Sequence, residues 1–338
     1  MDMDIDQIVL TGTGGPEALE IRRRPVPQAS KGKVIVRVEA AGISYAEVQL
    51  LRGLHPFPPR TPCVPGYDLV GRIAEVGEGV RTWKVGDRVA AMPRYGAWQE
   101  YVELSPKVLA SVPEDVDAGD AVALVCNGVT AWQMLHRRSG ARRGDTVLVH
   151  GAAGGVGSLL TAMAVREGIR VIGTASPGKH DKVRQMGALP VDYRRPDLAA
   201  VVRALAPGGV TAVFDHIGGR NLDFGWSVLA PGGTLISFDS SVEGYRSGQW
   251  FRPHVPAMRR VLGWKLRRAL GMTQGRNATM YYVKPGPAFR ADLRSMFGLL
   301  SRGDLQPEIA GRYPLQKAAE AVSELFEGRV TGKLVLVP

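Results

Sequence analysis

The pattern of apolar and polar positions changes about one third of the way along the chain. Before residue 118 it predicts short strands, because 33–39 alternates polar and apolar residues and two strand-like runs, 69–76 and 85–91, are separated by glycines. This first part therefore predicts a mainly antiparallel β domain.

The middle of the chain alternates strand-like and helix-like segments. An apolar helix-like stretch at 121–136 leads to a buried type of strand at 145–150, a glycine-rich turn and a helix at 158–167. Strands joined by helices of this length form parallel sheets through right-handed crossovers. The pattern predicts a doubly wound α/β domain. Its further predicted strands are 170–175, 190–193, 212–215 and 234–239, and its further predicted helices are 180–186 and 198–206.

The end of the chain predicts a return to the first domain. Helices at 289–302 and 315–327 precede a strand at 333–337. The resulting division gives a mainly antiparallel domain at 1–122, a doubly wound domain at 123–290, and a segment at 291–338 that returns to the first domain.

Composition narrows the class of protein. With 338 residues, 45% hydrophobic and 22% charged, the chain has globular composition and the length of two domains. Its two cysteines, Cys63 and Cys126, exclude a disulfide framework and a four-cysteine zinc lobe. The first residues carry no basic region, and the longest apolar run, 121–132, is too short to span a bilayer. We therefore expect a cytoplasmic protein.

The net charge of +11 is concentrated in one part of the chain. Residues 244–291 contain no Asp or Glu and ten cations, and 240–282 forms a basic and aromatic insert. Such a segment suits an anionic partner or is a solvated helix face. Helical spacing at 258–271 predicts a lid over a bulky substrate, which we favour, or a weakly membrane-associated surface helix. We expect no nucleic-acid partner. The aromatic residues of the insert are Tyr245, Trp250, Phe251, Trp264, Tyr281 and Tyr282.

A glycine-rich turn at 151–157 joins a predicted strand to a predicted helix. In the G-x-G-x-x-G register the positions are Ala152, Gly154 and Gly157, so alanine replaces the first glycine. Gly154 lets the backbone approach a pyrophosphate, Gly157 lets the helix pack closely, and the helix N-terminus supplies free N–H groups. This arrangement predicts a dinucleotide cofactor. The expected contacts in the turn are Ala153, Gly154, Gly155 and Val156.

The second strand of the doubly wound domain predicts which dinucleotide binds. An NAD enzyme places an acid at the end of this strand to bind the ribose hydroxyl. Here the strand ends at Ala175, and Ser176 and Lys179 follow. Hydroxyl and basic groups suit a 2′-phosphate, so the sequence favours NADPH over NADH.

Eight segments along the chain resemble one family, in the family's order. The family is the medium-chain dehydrogenase/reductases, within them the zinc-free quinone oxidoreductases and vesicle-amine-transport-like proteins. The resemblance implies a GroES-like substrate domain, a Rossmann domain, a cofactor in the cleft between them, and a homodimer paired through 278–283. The segments are 14–21, 40–56, 64–80, 84–91, 148–157, 213–219, 229–238 and 331–338.

Positions that hold zinc in the alcohol dehydrogenases of this superfamily differ here. By the resemblance, Ser44 replaces a cysteine ligand, and Tyr67 and Asp68 replace a His–Glu pair. Cys126 matches a second cysteine ligand, but a lone thiolate with serine and tyrosine is a poor zinc site. We therefore expect no metal and interpret Cys126 as a small buried side chain. Without a Lewis acid, hydride transfer to a conjugated acceptor such as a quinone, enone or enoyl group is favoured over ketone reduction.

The catalytic candidates also follow from the resemblance. His55 lies where related reductases carry a tyrosine, and is our preferred general acid, with a surface loop histidine as the alternative. Tyr67 is the second candidate, as a donor to the substrate oxygen or as a core residue. Ser44 replaces an asparagine near the nicotinamide.

Further cofactor contacts are implied by matching position. For Ile217 and Phe238, the alternative interpretation is that they pack in the hydrophobic core and do not contact the cofactor. The alternatives for the whole chain are a zinc-type alcohol dehydrogenase and a non-enzymatic NADPH-binding or membrane-associated relative. The implied contacts are Asn127, Thr130, Tyr193, Ile217, Gly218, Phe238 and Lys333.

Overall fold

A computed structural model of the chain describes residues 4–238 and 254–338. These residues form two compact units. The first contains 4–129 and 284–338, and the second contains 130–238 and 254–283. The expectations that concern Tyr245, Trp250 and Phe251 lie outside the described residues.

The strands are numbered along the chain. They are β1 Asp4–Leu10, β2 Leu19–Pro25, β3 Val34–Ile43, β4 Leu69–Val76, β5 Arg88–Ala91, β6 Tyr101–Leu104, β7 Leu109–Ser111, β8 Thr146–His150, β9 Arg170–Ala175, β10 Leu189–Asp192, β11 Val210–Asp215, β12 Leu229–Phe238, β13 Asn277–Tyr281, β14 Ile309–Pro314 and β15 Lys333–Val337.

The helices are numbered in the same way. They are α1 Tyr45–Leu51, α2 Ala118–Ala123, α3 Val129–Met134, α4 Gly155–Arg166, α5 His180–Gln185, α6 Leu198–Leu205, α7 Arg220–Val228, α8 Val255–Ala269, α9 Pro287–Ser301 and α10 Ala318–Phe326.

The first unit is built on a mainly antiparallel sheet. Its strand order is β14-β15-β3-β4-β5-β7, with β6 also paired to β3, and the contact between β14 and β15 is parallel. The central strand β3 has buried residues along most of its length, because apolar side chains occupy both faces. Leu334–Leu336 pair with Ala41–Ile43. The last strand therefore completes the first sheet.

The second unit is a parallel sheet with helices between its strands. Its strand order is β10-β9-β8-β11-β12-β13, and every recorded pairing is parallel. The chain starts at β8, winds outward to β10, and then returns to β11 and winds the other way. This order is that of a dinucleotide-binding domain, whose ligands bind outside the carboxyl ends of the strands where the direction reverses. The predicted fold class is confirmed.

The predicted helix at 121–136 is longer and less regular than expected. It runs from Ala118 to Ser139 as α2, a π-helical turn at Leu124–Gly128, α3 and a second π turn at Leu135–Ser139. Gly140 ends it with φ +70°, the left-handed conformation that glycine adopts most easily. Each π turn accommodates extra chain in the helix, which the apolar pattern alone does not reveal.

Several boundaries differ from the sequence predictions for identifiable reasons. The β5 strand begins at Arg88 rather than 85, because the Lys84 N–H donates to the Asp87 carboxylate and closes a turn. The α4 helix begins at Gly155 rather than 158, directly after the glycine turn. The pair β1–β2 and helix α7 are not predicted by the sequence, because β2 is mostly exposed and α7 lacks a continuous apolar period.

Among the described residues, no helix combines the length and the apolar character that a membrane crossing requires.

Candidate cofactor and catalytic sites

The glycine turn lies at the carboxyl end of β8, where the strand order reverses. Gly151 has φ +63°, and its carbonyl accepts the N–H of Gly154 at 2.8 Å. A Cβ on Gly157 would overlap the Gly151 carbonyl oxygen. Only glycine therefore lets α4 start this close to the turn, which is the packing that the sequence predicts for Gly157.

A buried histidine at the end of β8 holds the glycine turn in place through Thr174. His150, the last residue of β8, is fully buried, and its Nδ1 lies 2.9 Å from Thr174 Oγ1. The Thr174 carbonyl accepts the N–H of Ala152 at 3.0 Å. Burial lowers the pKa of His150 to about 3, so the imidazole is neutral at pH 7. Sequence reasoning did not select His150, because a single histidine at a strand end carries no distinguishing pattern.

A second turn follows β11, the neighbouring strand at the point of reversal. Asp215 Oδ1 accepts the N–H groups of Ile217 at 2.6 Å and Gly218 at 2.9 Å, and its Oδ2 accepts from Asn221 at 3.0 Å. These bonds fix the turn that carries two predicted contacts. The adjacent His216 ring occupies the space that a Cβ on Gly151 would fill, so the two turns touch.

Other predicted cofactor residues lie at the same edge of the sheet. Ser176 directly follows β9, Tyr193 follows β10, and Phe238 ends β12. Lys179 lies one helical turn beyond Ser176, and burial lowers the pKa of its ammonium. The structure therefore brings the predicted contacts from strands β8 to β12 to one edge, because the carboxyl ends of parallel strands face the same way.

The residues at this edge fit a dinucleotide. No side chain caps α4 at Gly154, so the N–H groups of its first turn are available to a pyrophosphate. The glycine cradle leaves the backbone accessible, and no carboxylate stands immediately after β9. Ser176, Lys179 and Tyr193 would lie toward the adenosine ribose of such a ligand.

In the first unit, Glu47 holds the start of α1. Its Oε2 accepts the N–H of Ser44 at 2.8 Å and the Ser44 hydroxyl at 2.6 Å. Its Oε1 accepts the N–H of Tyr67 at 2.9 Å. Burial raises the pKa of Glu47 to about 7, although these hydrogen bonds and the nearby charge of Lys333 oppose the rise. Sequence reasoning selected Ser44 and missed the carboxylate that positions it.

A buried ion pair lies next to Glu47. Lys333 Nζ is 3.3 Å from Asp68 Oδ2, which also accepts the Cys126 N–H at 3.0 Å. Both charged side chains are almost fully buried, and a Cβ on Gly42 would overlap Asp68. Lys333 thus joins β15 to the loop before β4, and its predicted role as a cofactor contact stays a prediction.

His55 and Tyr67 form a hydrogen-bonded pair. His55 Nε2 lies 2.8 Å from the Tyr67 hydroxyl oxygen, and the two residues are 1% and 4% exposed. Tyr95 packs edge-on against both rings, with centroid distances of 6.1 Å and 5.9 Å. His55 is therefore a buried residue, and the alternative of a surface loop histidine is wrong. Sequence reasoning missed Tyr95, which lies 40 residues from His55.

The remaining predicted residues lie along the helix from Ala118 to Ser139. Asn127 and Thr130 are both buried, at 6% and 7% exposure. Cys126 is 9% exposed, and its backbone binds Asp68. No group of three or more His, Cys, Asp or Glu side chains within 4–238 and 254–338 has a metal-binding arrangement.

Comparisons with known proteins identify the family models and the relatives that the chain matches. The model of the alcohol dehydrogenase GroES-like domain matches residues 30–114, and that of a zinc-binding dehydrogenase matches 186–336. A synaptic vesicle membrane protein VAT-1 homolog of Rattus norvegicus is 32% identical, over 98% of this chain and 83% of its own. A quinone oxidoreductase of Pseudomonas aeruginosa is 34% identical, over 98% and 99%.

Solved structures agree with the sequence relatives. A mycobacterial protein complexed with NADPH has a TM-score of 0.84 at 29% identity, over 99% of this chain and 100% of its own. The quinone oxidoreductase of Coxiella burnetii has a TM-score of 0.82 at 26% identity, over 99% and 100%. Fold, glycine turn and relatives together define a nicotinamide-dependent type of oxidoreductase. The chain belongs to the medium-chain dehydrogenase/reductase superfamily, in its branch of zinc-free quinone oxidoreductases and VAT-1 homologues.

Proposed function

We propose that the chain is a zinc-independent, NADPH-dependent reductase that transfers hydride to a conjugated acceptor, such as a quinone, an enone or an enoyl group. The observation that carries the proposal is the glycine turn at the reversal point of a β10-β9-β8-β11-β12-β13 sheet. The relatives named quinone oxidoreductase and the NADPH-bound structural neighbour support it. Bound NADPH would supply the hydride.

The residues of the first unit suit an acceptor of this kind. A conjugated acceptor spreads the negative charge to an enolate oxygen, which needs hydrogen-bond donors and one proton. Tyr67 and His55 supply such groups. The Ser44, Tyr67 and Cys126 side chains are a poor donor set for zinc, which prefers thiolate, imidazole and carboxylate ligands. This chemistry supports zinc independence.

The choice of NADPH rests on the residues beyond β9. Ser176 and the half-buried Lys179 replace the acid that would bind a ribose hydroxyl, and Tyr193 lies at the end of the next strand. A phosphate contact of modest strength gives about tenfold discrimination, or about 1.4 kcal/mol. We therefore expect NADPH to bind at least about tenfold more tightly than NADH.

Oxidation of NADPH and of NADH is measured with quinones, enones and enoyl thioesters, together with the zinc content of the purified protein. We expect reduction of at least one conjugated acceptor, far less than one zinc per chain, and a smaller cofactor preference in Lys179→Ala. Stoichiometric zinc whose removal abolishes activity would support an alcohol dehydrogenase. NADPH binding without turnover on any acceptor would support a non-enzymatic binding protein.

The cytoplasmic location and the homodimer stay predictions. Strand β13 lies at the edge of its sheet, and Met280 on it is 42% exposed. Within 4–238 and 254–338 no further strand pairs with β13, and an exposed strand edge of this kind suits pairing with a second copy. The molar mass in solution tests this, with twice 36.4 kDa as the expected value.

A further inference from the structure

The direction of the hydrogen bond between His55 and Tyr67 follows from the backbone. The Phe57 N–H points at His55 Nδ1, at an N···N distance of 3.1 Å. A backbone amide nitrogen can only donate, so Nδ1 presents its lone pair. The proton of the neutral imidazole is therefore on Nε2, which faces the Tyr67 oxygen at 2.8 Å.

The Tyr95 hydroxyl makes a longer contact with Nδ1 than the Phe57 N–H does. This hydroxyl lies 2.5 Å from the Phe57 carbonyl oxygen, to which it donates, and 3.3 Å from His55 Nδ1. A second proton on Nδ1 would point directly at the Phe57 N–H. His55 is also almost fully buried, at 1% exposure.

We propose that Tyr67 delivers the proton to the substrate, and that His55 is a positioning residue behind it. The His55 Nε2–H donates to the Tyr67 oxygen, so the hydroxyl proton of Tyr67 points away from the imidazole. The same hydrogen bond stabilises the phenolate that remains after proton transfer. This inference rests on the proposed function and reverses the order of the two candidates expected from the sequence.

With an enone as acceptor, the β-carbon would receive the hydride that bound NADPH supplies, which leaves NADP⁺, and the carbonyl becomes an enolate. The O–H bond of Tyr67 breaks, and its proton goes to the enolate. The phenolate then takes a proton from water, so the net change is addition of hydride and one solvent proton to the substrate.

The backbone around Tyr67 is held on both sides. Its N–H donates to Glu47 Oε1 at 2.9 Å, and the next residue, Asp68, binds Lys333 and the Cys126 N–H. These buried contacts fix the position from which the phenol ring projects. A proton donor has to be held in this way to meet a substrate atom reproducibly.

The first test reads the tautomer of His55 without any turnover. Nitrogen-15 NMR of the full chain distinguishes the two ring nitrogens, and His55→Gln assigns the signals among the six histidines. We expect a neutral ring with its proton on Nε2 between pH 6 and 8. A ring protonated on Nδ1, or on both nitrogens, at pH 7 would overturn the proposal.

The second test compares variants on an enone that the unmodified protein reduces. Tyr67→Phe should lower kcat by about ten- to a few hundredfold with an unchanged Kd for NADPH, since general acid catalysis contributes about 10²–10⁴-fold and water substitutes in part. His55→Leu should approach this loss. His55→Gln should lose less, because its amide N–H can still donate to the Tyr67 oxygen.

Tyr313→Phe is the matched control, because this tyrosine binds Glu324 on the C-terminal part of the same unit, and its kcat should not change. Unchanged kcat in Tyr67→Phe would overturn the inference, as would an equal loss in His55→Gln and His55→Leu. A protein inactive on every acceptor would instead overturn the proposed function, while the NMR test would still decide the direction of the hydrogen bond.

Discussion

At the residue scale, the sequence indicates which side chains are catalytic candidates, but it does not indicate which residues contact them in the folded protein. The resemblance selected Ser44, His55 and Tyr67 within one stretch of sequence. Their environments come from residues far along the chain: Lys333 reaches Asp68 across 265 positions, and Tyr95 lies 40 positions from His55. Burial and hydrogen-bond direction depend on these long-range contacts, which no local pattern encodes.

Glu47 provides a test of the electrostatics at this scale. Its pKa is about 7 in the folded protein, against an ordinary value of 4.5, mainly because of burial. Between these pH values the folded state binds more protons than the unfolded state, so the free energy of unfolding falls as pH rises from 4.5 to 7. The whole effect corresponds to about 3 kcal/mol.

We expect Glu47→Gln to flatten this decrease, because an amide does not ionise. Chemical unfolding at pH 5, 6, 7 and 8 measures it, although the loss of a charged acceptor also destabilises the variant at every pH. Glu78→Gln is the control, since Glu78 is an exposed partner of Lys31 and should leave the slope unchanged. A wild-type stability that does not fall between pH 5 and 7, or an equal slope in Glu47→Gln, would contradict the prediction.

At the element scale, the parallel domain could be predicted better than the antiparallel one. In the parallel sheet, β9 has its predicted bounds, 170–175, and β8 and β10 each begin within one residue of their predicted starts. The β1–β2 pair was not predicted from the sequence, because four consecutive residues of β2 are exposed and the strand therefore has no alternating apolar face. The π turns beside α3 were not predictable, because they are set by how the helix packs rather than by its period.

The element that most directly carries the cofactor is the turn between β8 and α4. A methyl group on residue 157 would collide with backbone atoms of Gly151 and Ala152, which cannot move without displacing the turn. We expect Gly157→Ala to weaken NADPH binding by more than tenfold and to destabilise the protein by about 1–3 kcal/mol, the usual cost of overpacking.

Titration calorimetry with NADPH and thermal unfolding measure the two effects of Gly157→Ala. Gly208→Ala is the matched control, because a Cβ there meets no atom within 4 Å and the residue lies in the same unit. The prediction fails if Gly157→Ala binds NADPH as tightly as the unmodified protein.

At the scale of the whole molecule, helix α8 confirms the helical spacing predicted for the basic segment and shows which face it buries. Ala257, Val261 and Trp264 pack into the core of the second unit, and Trp264 stacks on Trp226 at 4.6 Å. The opposite face carries a row of large apolar side chains. These are Met258, Leu262, Leu266 and Leu270, each between 42% and 68% exposed.

Cations flank this apolar row, and the neighbouring sequence has no acid. By helical spacing Arg259 and Lys265 lie beside it, whereas Arg260 is paired with Asp223. Two copies of the row placed face to face would bring like charges together. An anionic lipid surface would accept both the apolar side chains and the cations. The exposed row therefore favours the hypothesis that α8 binds a membrane surface over the hypothesis that it covers the substrate.

We therefore expect the protein to sediment with vesicles that contain anionic lipid, and less with neutral vesicles or at high salt. Replacing Leu262 and Leu266 together by Glu should reduce this binding at least about tenfold, because it removes apolar area and adds negative charge. Val85→Glu is the matched control, since Val85 is an equally exposed apolar residue of the first unit. Unchanged vesicle binding in the double variant would contradict this prediction. If the KM for the acceptor also changed, the result would support α8 as a lid over the substrate.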